Sequence, residues 1–225
     1  TNAVLNLKNM DLAIQGVPVV NVSERQNVMF YPKNEEILVK KDMSFDFGGR
    51  IDAGLFTFHG SNFNFNYNAF MVELNHVDSL NIRVKAGWDE QGRQLLANVQ
   101  STIESITGKL KIDEPDNKSG RKNLLQYPIF ASEKDSYVYY DDPDIQDGKY
   151  TRDTFYFQVY PYTIDSLNSF STEGMGFEGE LHSADIFPVI KQKLVLQEDN
   201  SLGFVEQTPN NGYPVYRGTG RFNNS

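Results

Sequence analysis

The chain has 225 residues, of which 39% are hydrophobic and 13% aromatic, and its formal net charge is −9. A negative surface repels phosphate groups, so nucleic acids and anionic membrane surfaces are not expected as partners. The absence of cysteine excludes disulfide bonds, thiolate nucleophiles and cysteine-ligated metals. No window approaches the roughly 18 apolar residues of a membrane-spanning helix, and the abundance of Phe and Tyr favours strands.

The first regular pattern along the chain is "GRIDAGLFTFHGSNFNFNYNAF", residues 49–70. Apolar and polar residues alternate here with a period of two, which is typical of half-buried strands. The alternation changes phase several times, and each change requires a turn or a bulge; "HGSN" at 59–62 and "NYNA" at 66–69 contain suitable residues. The pattern predicts two or three short strands in succession, with the alternating Asn residues on the solvent face.

The next segment, "DEQGRQLLANVQSTIESITG" at residues 89–108, has a different spacing. Its apolar residues fall near one face of a helix, acidic residues precede them, and Gly108 follows as a stop signal. The segment predicts one short helix near residues 93–106.

A polar stretch follows at residues 112–123, "IDEPDNKSGRKN", and its Pro, Asp, Asn, Ser and Gly content indicates a loop. We interpret residues 1–225 as a single β-rich region, expected to be a piece of a longer chain. The loop is the best internal boundary, between two related halves at 1–111 and 124–225.

A similar pattern occurs twice, as "GRIDAGLFTF" from Gly49 and "GKYTRDTFYF" from Gly148. Each copy has a glycine, a basic residue and, further on, a Phe-x-Phe pair: Phe56 and Phe58 in the first, Phe155 and Phe157 in the second. Irregular repetition of this kind is typical of stacked β layers that need the same corner and the same core plugs. The predicted fold is therefore mainly β, an elongated stacked sheet of solenoid-like or sandwich-like form.

The segment "YYDDPDIQDG", residues 139–148, concentrates carboxylates in a turn-rich loop. Asp142, Asp144 and Asp147 could chelate Ca²⁺ through oxygen ligands, which makes calcium the one candidate cofactor. The spacing does not fit an EF-hand. The alternative is a solvated acidic turn between strands.

A row of tyrosines follows in "TFYFQVYPYTI", residues 154–164. Strand alternation predicts Tyr156, Tyr160 and Tyr162 on the face opposite Phe155 and Phe157. Tyr139, from the preceding "YVYY", adds another ring. Exposed tyrosines stack on sugar rings and donate hydrogen bonds, so these residues are the candidate contacts for a glycan or a neighbouring domain. The alternative is that they cover a second layer of the protein itself.

The chain lacks the local motifs of common enzymes. The three histidines, at 59, 76 and 182, do not have zinc-site spacing, and neither H-E-x-x-H nor G-x-S-x-G occurs. The sequence therefore predicts a protein that is not an enzyme.

Two segments, "NVMFYPKNEEILVKKDMSFDFGGRIDAGLFTFHG" (27–60) and "FEGELHSADIFPVIKQKLVLQEDNSLGF" (177–204), resemble the long repetitive envelope proteins of Gram-negative bacteria. These are similar in style to the AsmA-like and OstA/LptA-like β-repeat proteins. The resemblance implies export to the periplasm, outer membrane or cell surface, and a role in envelope organisation or in handling lipids and polymers. It implies neighbouring repeats or domains of the same long chain as partners, and it carries no catalytic residue to any position here.

Two functions remain open at this point. The first is a non-enzymatic structural or interaction module of a large exported envelope protein. The second is a carbohydrate-binding module, or an accessory domain of a glycan-active enzyme, with the tyrosines and the acidic loop as its contact surface.

Overall fold

A computed structural model describes residues 2–171 and 175–223. It is mainly β, with 51% strand and 4% helix, and most of its strands join in one large antiparallel sheet. The predicted fold class is confirmed. The strands up to the polar loop are β1 (Ala3–Asn6), β2 (Asp11–Gln15), β3 (Val20–Ser23), β4 (Val28–Pro32), β5 (Glu36–Val39), β6 (Phe45–Ala53), β7 (Phe56–Asn66), β8 (Met71–Trp88), β9 (Gln94–Asn98) and β10 (Ile103–Lys111).

The second part of the chain contributes shorter strands. They are β11 (Ile129–Ser132), β12 (Ser136–Tyr139), β13 (Phe155–Val159), β14 (Thr163–Ile164), β15 (Gly176–Ser183), β16 (Ile190–Leu196), β17 (Leu202–Gly203), β18 (Tyr213–Val215) and β19 (Gly220–Phe222). Three 3-10 turns of three residues each, at Lys33–Glu35, Gln146–Gly148 and Tyr216–Gly218, are the helical segments of the described residues. None of the described helices is long and apolar enough to cross a membrane.

The strand pairing is antiparallel throughout. From one edge the order is β1, β2, β5, β6, β7, β8 and β10. Strand β10 then pairs with both β11 and β12, and the sheet continues through β13, β15, β16 and β17. Side branches add β4 with β3 next to β6, β9 next to β8, and β14 next to β11, while β18 and β19 pair separately.

The stretch at 49–70 folds as its alternation predicts. It supplies most of β6 and all of β7, and "NYNA" begins the turn before β8. "HGSN" lies inside β7, where the register with β8 shifts between His59 and Phe63, so this phase change is absorbed by bulges rather than by a turn. The Phe side chains face the core, since Phe56, Phe58 and Phe63 are 0% exposed.

The predicted helix near residues 93–106 is wrong. Residues 94–98 form β9, and β10 begins at Ile103. Ile103 and Ile106 are three residues apart, as on a helix, and both are buried. The reason is Ser105, whose φ of 61° is left-handed and reverses the side-chain alternation between them. A local irregularity in a strand therefore imitated helical spacing.

The two Gly–Phe segments share a backbone feature at their first residue, although Gly49 lies in β6 and Gly148 in the 3-10 turn Gln146–Gly148. Gly49 and Gly148 both have positive φ, 129° and 66°, which favours glycine. At Gly49 a Cβ atom would also lie 2.3 Å from the main-chain oxygen of Tyr31 in the next strand. The Phe pairs differ, however: Phe157 is fully buried, whereas Phe155 is half-buried and stacks on Tyr150 with 4.0 Å between ring centroids.

The polar segment 112–123 contains no strand or helix, as predicted, but two of its polar side chains are buried and hold it in place. Asp113 and Asn117 are each only 2% exposed. The Asp113 carboxylate accepts hydrogen bonds from Gln26 Nε2 at 2.9 Å and Asn117 Nδ2 at 3.0 Å, which ties the loop to the turn between β3 and β4. Strand β10 pairs with strands on both sides of this loop along the chain, while the division into halves stays a prediction.

Candidate functional site

One face of the sheet carries a continuous row of outward-facing side chains, which we call the outer row. Directly opposed residues on neighbouring antiparallel strands project to the same face. Following the register from β4 to β16 therefore links side chains of nine strands. The outer row consists of Tyr31, Arg50, His59, Ser79, Glu104, Tyr137, Gln158, Glu180 and Lys191.

The members of the outer row are half-buried or exposed. On the opposite face of the sheet, the neighbouring row of paired residues is Phe30, Ile51, Phe58, Leu80 and Ile103, and all five are 0% exposed. The two faces therefore differ sharply in polarity. At about 4.8 Å between strands, nine strands span roughly 38 Å. The outer row is therefore long enough to meet a polymer or another protein.

Tyr137 of this row and three neighbouring rings gather on β12, β13 and β15. Tyr139 is opposite Tyr156, and Tyr156 is opposite His182. We call Tyr137, Tyr139, Tyr156 and His182 the tyrosine cluster. Two of the four predicted contact residues, Tyr139 and Tyr156, belong to it.

The rings of the cluster touch one another in two geometries. Tyr137 and Tyr139 lie nearly parallel, with 5.8 Å between centroids, and Tyr156 lies parallel to His182 at 4.7 Å. Tyr137 meets Tyr156 edge to face at 5.7 Å. These are the geometries that aromatic pairs prefer, and all four rings are half-buried, so each keeps part of its surface open to solvent.

A carboxylate is held at the edge of the cluster. Glu180 accepts a hydrogen bond from the Tyr160 hydroxyl at 2.7 Å, and its other oxygen lies 3.1 Å from Nε2 of His182. The Tyr160 bond, and after it His182, lower the pKa of Glu180. The same bond raises the pKa of Tyr160, because the phenol donates its proton to a charged partner. Tyr160, the third predicted tyrosine, thus positions Glu180.

Arg152 closes the other side of the cluster. Its guanidinium lies 4.1 Å from the ring centroid of Tyr139, within cation–π distance. The same guanidinium donates to Asp141 at 2.9 Å and to Glu104 at 2.9 Å. These bonds raise the pKa of Arg152, and the first of them lowers the pKa of Asp141. A charged network therefore fixes the position of the Tyr139 ring.

Tyr162 does not share this face, contrary to the alternation that grouped it with Tyr156 and Tyr160. Its ring packs edge to face on Phe130 at 5.7 Å and on Phe177 at 4.8 Å, on the core side. Burial raises the pKa of its phenol. The reason is that β13 ends at Val159 and Pro161 follows, so period-two alternation no longer applies at residue 162.

The predicted calcium ligands lie in the loop between β12 and β13. Asp142, Asp144 and Asp147 are all exposed. The Asp142 carboxylate accepts the main-chain N–H of Asp144 at 2.9 Å, and Asp147 lies 3.7 Å from the Lys149 ammonium. Within residues 2–171 and 175–223, no three His, Asp or Glu side chains converge as a metal site would require. Calcium binding stays a prediction.

Several members of the site were not predicted from sequence, namely Glu104, Arg152, Glu180 and His182. For two of them a signal was present, since Glu178, Glu180 and His182 alternate in "FEGELHS" as the outward residues of a strand do. The sequence offers no comparable signal for Glu104, whose strand β10 is far from β12 along the chain but pairs with it, or for Arg152 in the loop before β13.

Comparison with known proteins adds nothing to this geometry. The chain matches no family model, no curated protein and no solved structure.

Proposed function

We propose that the chain is a non-catalytic interaction module of a large exported bacterial envelope protein, and that the outer row is its contact surface. The observation that carries this proposal is the extent of the outer row, which joins half-buried and exposed polar side chains across nine strands. Sites for small molecules are concave and mostly apolar, whereas a broad polar face suits a macromolecular partner. The envelope location is supported by the resemblance of residues 27–60 and 177–204 to Gram-negative β-repeat proteins.

The experiment is site-specific photocrosslinking in the native cell. A photoreactive amino acid replaces Gln158, at the centre of the tyrosine-rich end of the outer row, or Leu125, a 69% exposed residue of the polar loop region. We expect cross-links from position 158 to an envelope component or to a neighbouring segment of the same polypeptide, and none from position 125. Absence of cross-links at 158, or equal cross-links at both positions, contradicts the proposal.

A second candidate function is carbohydrate binding, as a module of its own or as an accessory domain of a glycan-active enzyme. The tyrosine cluster favours it, because aromatic rings lie next to Glu180, whose carboxylate can accept hydrogen bonds from sugar hydroxyls. Four carboxylates gather at this end of the outer row, those of Glu104, Asp141, Glu180 and Asp135, which accepts a hydrogen bond from Gln158. They outnumber the nearby cations Arg152 and Lys191, so we expect uncharged glycans in preference to uronates or sulfates. A glycan array distinguishes the two candidate functions. Binding of an uncharged polysaccharide supports carbohydrate binding, whereas an array without binding supports the interaction module alone.

A further inference from the structure

Strand β1 lies at an open edge of the sheet. Among the described residues it pairs only with β2, and Ala3–Asn6 are all exposed. The Gln15 N–H donates to the Asn2 carbonyl at 2.8 Å, which makes Asn2 and Gln15 a hydrogen-bonded pair. Because antiparallel pairs alternate, the N–H and C=O groups of Ala3 and Leu5 point away from β2. These groups are ready to pair with another strand.

The apolar layer of the sheet also continues to this edge without a polar rim. Val39 packs against the main core, and the register carries its row outward through Leu12 to Leu5. Leu5 is 47% exposed and Val4, on the other face, 62%. Natural edge strands are commonly protected by Lys, Pro or a bulge, and Ala3–Asn6 contains neither a charge nor a proline.

We propose that β1 pairs with β1 of a second copy of this chain, antiparallel and about a twofold axis, so that the two sheets become one. The register that uses both outward-pointing residues places Ala3 opposite the partner's Leu5 and Val4 opposite the partner's Val4. It forms four main-chain hydrogen bonds, and Val4 occupies the non-hydrogen-bonded site where side chains approach most closely.

Self-complementarity is what selects a second copy over another occupant. In this register the row of Val39, Leu12 and Leu5 continues directly into the partner's Ala3 and then into the partner's Ile14 and the partner's Ile37, which is apolar throughout. No charge opposes a like charge, although each copy carries a net charge of −9. The proposal rests on the view of the chain as an interaction module, but β1 carries no member of the outer row and lies three strands from β6, so either can fail alone.

The experiment is analytical ultracentrifugation of the wild-type chain from about 1 µM to about 1 mM, because a four-residue pairing is smaller than the interfaces of tight dimers. We expect a reversible monomer–dimer equilibrium that shifts towards dimer as NaCl rises, because salt screens the repulsion between acidic copies. A chain that stays monomeric at every concentration and salt level overturns the proposal.

Substitutions in β1 test whether this strand forms the interface and whether Val4 lies on the twofold axis. Ala3→Pro removes only an outward N–H, which an edge strand tolerates, and Val4→Lys or Val4→Glu places like charges across the twofold axis. Each should weaken dimerisation at least tenfold, while circular dichroism and the melting temperature stay as in the wild type. Leu125→Lys is the control for adding a charge at an exposed apolar position, and it should not change the equilibrium.

The sharpest outcome is the mixture of Val4→Lys with Val4→Glu, in which opposite charges face each other. The mixture should form heterodimers even though each variant alone is monomeric. A dimer that survives Ala3→Pro and Val4→Lys, or a mixture that stays monomeric, shows that β1 does not pair in this way.

Discussion

The imidazole of His182 lies parallel to the phenol ring of Tyr156, with 4.7 Å between ring centroids and 18° between ring planes. The two residues are directly opposed on β15 and β13. His182 also contacts Glu180 on its own strand, and Glu180 in turn accepts the Tyr160 hydrogen bond. The aromatic and acidic parts of the candidate site are therefore connected by direct contacts. Substitution of Glu180 should consequently change the free energy of unfolding.

The first prediction concerns the pH dependence contributed by Glu180. Its folded-state pKa is lowered, chiefly by Tyr160. A carboxyl with a lowered pKa stabilises the fold above its unfolded pKa, about 4.3 for Glu, and that contribution is lost as pH falls through the folded value. The free energy of unfolding of the wild type should therefore fall more on acidification from neutral pH to below about pH 4 than that of Glu180→Gln.

Urea denaturation at a series of pH values measures this difference. Glu178→Gln is the matched control, because Glu178 is an exposed residue two positions earlier on the same strand. We expect the control to follow the wild type. Identical acid sensitivity of all three proteins would mean that Glu180 gains nothing from its partners.

The second prediction separates two neighbouring phenylalanines of β13. Phe157→Ala removes a fully buried ring and should cost about 3–5 kcal/mol of unfolding free energy. Phe155→Ala removes a half-buried ring and should cost clearly less, because the site is open to solvent and can relax. Chemical denaturation of both variants tests the assignment, and equal losses would show that the two positions are equally packed.

The third prediction concerns the buried carboxylate of the polar loop. Asp113→Ala leaves the amides of Gln26 and Asn117 without their acceptor, and an unsatisfied buried group costs about 1–3 kcal/mol. We expect a loss of that size or more, with faster amide hydrogen exchange across residues 112–123. Asp116→Ala, which breaks an exposed ion pair with Lys122 in the same loop, should change little. Similar effects of the two changes would contradict an anchoring role for Asp113.

Strand alternation predicted the local structure of this chain well wherever strands are regular. It identified Phe56, Phe58 and Phe63 as core because period two holds through most of β7. It failed where a single residue breaks the period: Ser105, with its left-handed φ, made β10 resemble a helix. Tyr162 was misplaced for a different reason, because β13 ends at Val159 and the alternation does not extend to residue 162.

The candidate site was less predictable than the fold for a different reason. Alternation tells which side chains share a face within one strand, but it does not tell which strands are neighbours. Glu104 and Tyr137 are opposed across β10 and β12, and Tyr156 and His182 across β13 and β15. These pairings join residues 26 to 33 positions apart, and they depend on the register of the whole sheet rather than on a local pattern.

The fourth prediction tests calcium at the acidic loop. If Asp142, Asp144 and Asp147 chelate Ca²⁺ in the folded state, millimolar Ca²⁺ should raise the melting temperature by several degrees, because a ligand of the folded state stabilises it by mass action. Asp144→Asn should remove most of that rise, and Mg²⁺ serves as the ion control. If the melting temperature does not change on addition of Ca²⁺, the loop is a solvated acidic turn and not a calcium site.

The last prediction concerns the tyrosine cluster as a contact surface. Tyr139 is held by Arg152 and Tyr156 by His182, so replacing either tyrosine by Ala removes a ring whose position the neighbours fix. If an uncharged glycan stacks on these rings, Tyr139→Ala and Tyr156→Ala should each weaken its binding at least tenfold, measured by isothermal titration calorimetry on the best ligand of a glycan array. Tyr216→Ala is the matched control, because Tyr216 is 59% exposed in the turn between β18 and β19, outside the cluster. The three variants should keep the wild-type circular dichroism spectrum. Equal weakening by all three, or undiminished binding in the cluster variants, would place the glycan contact elsewhere on the protein.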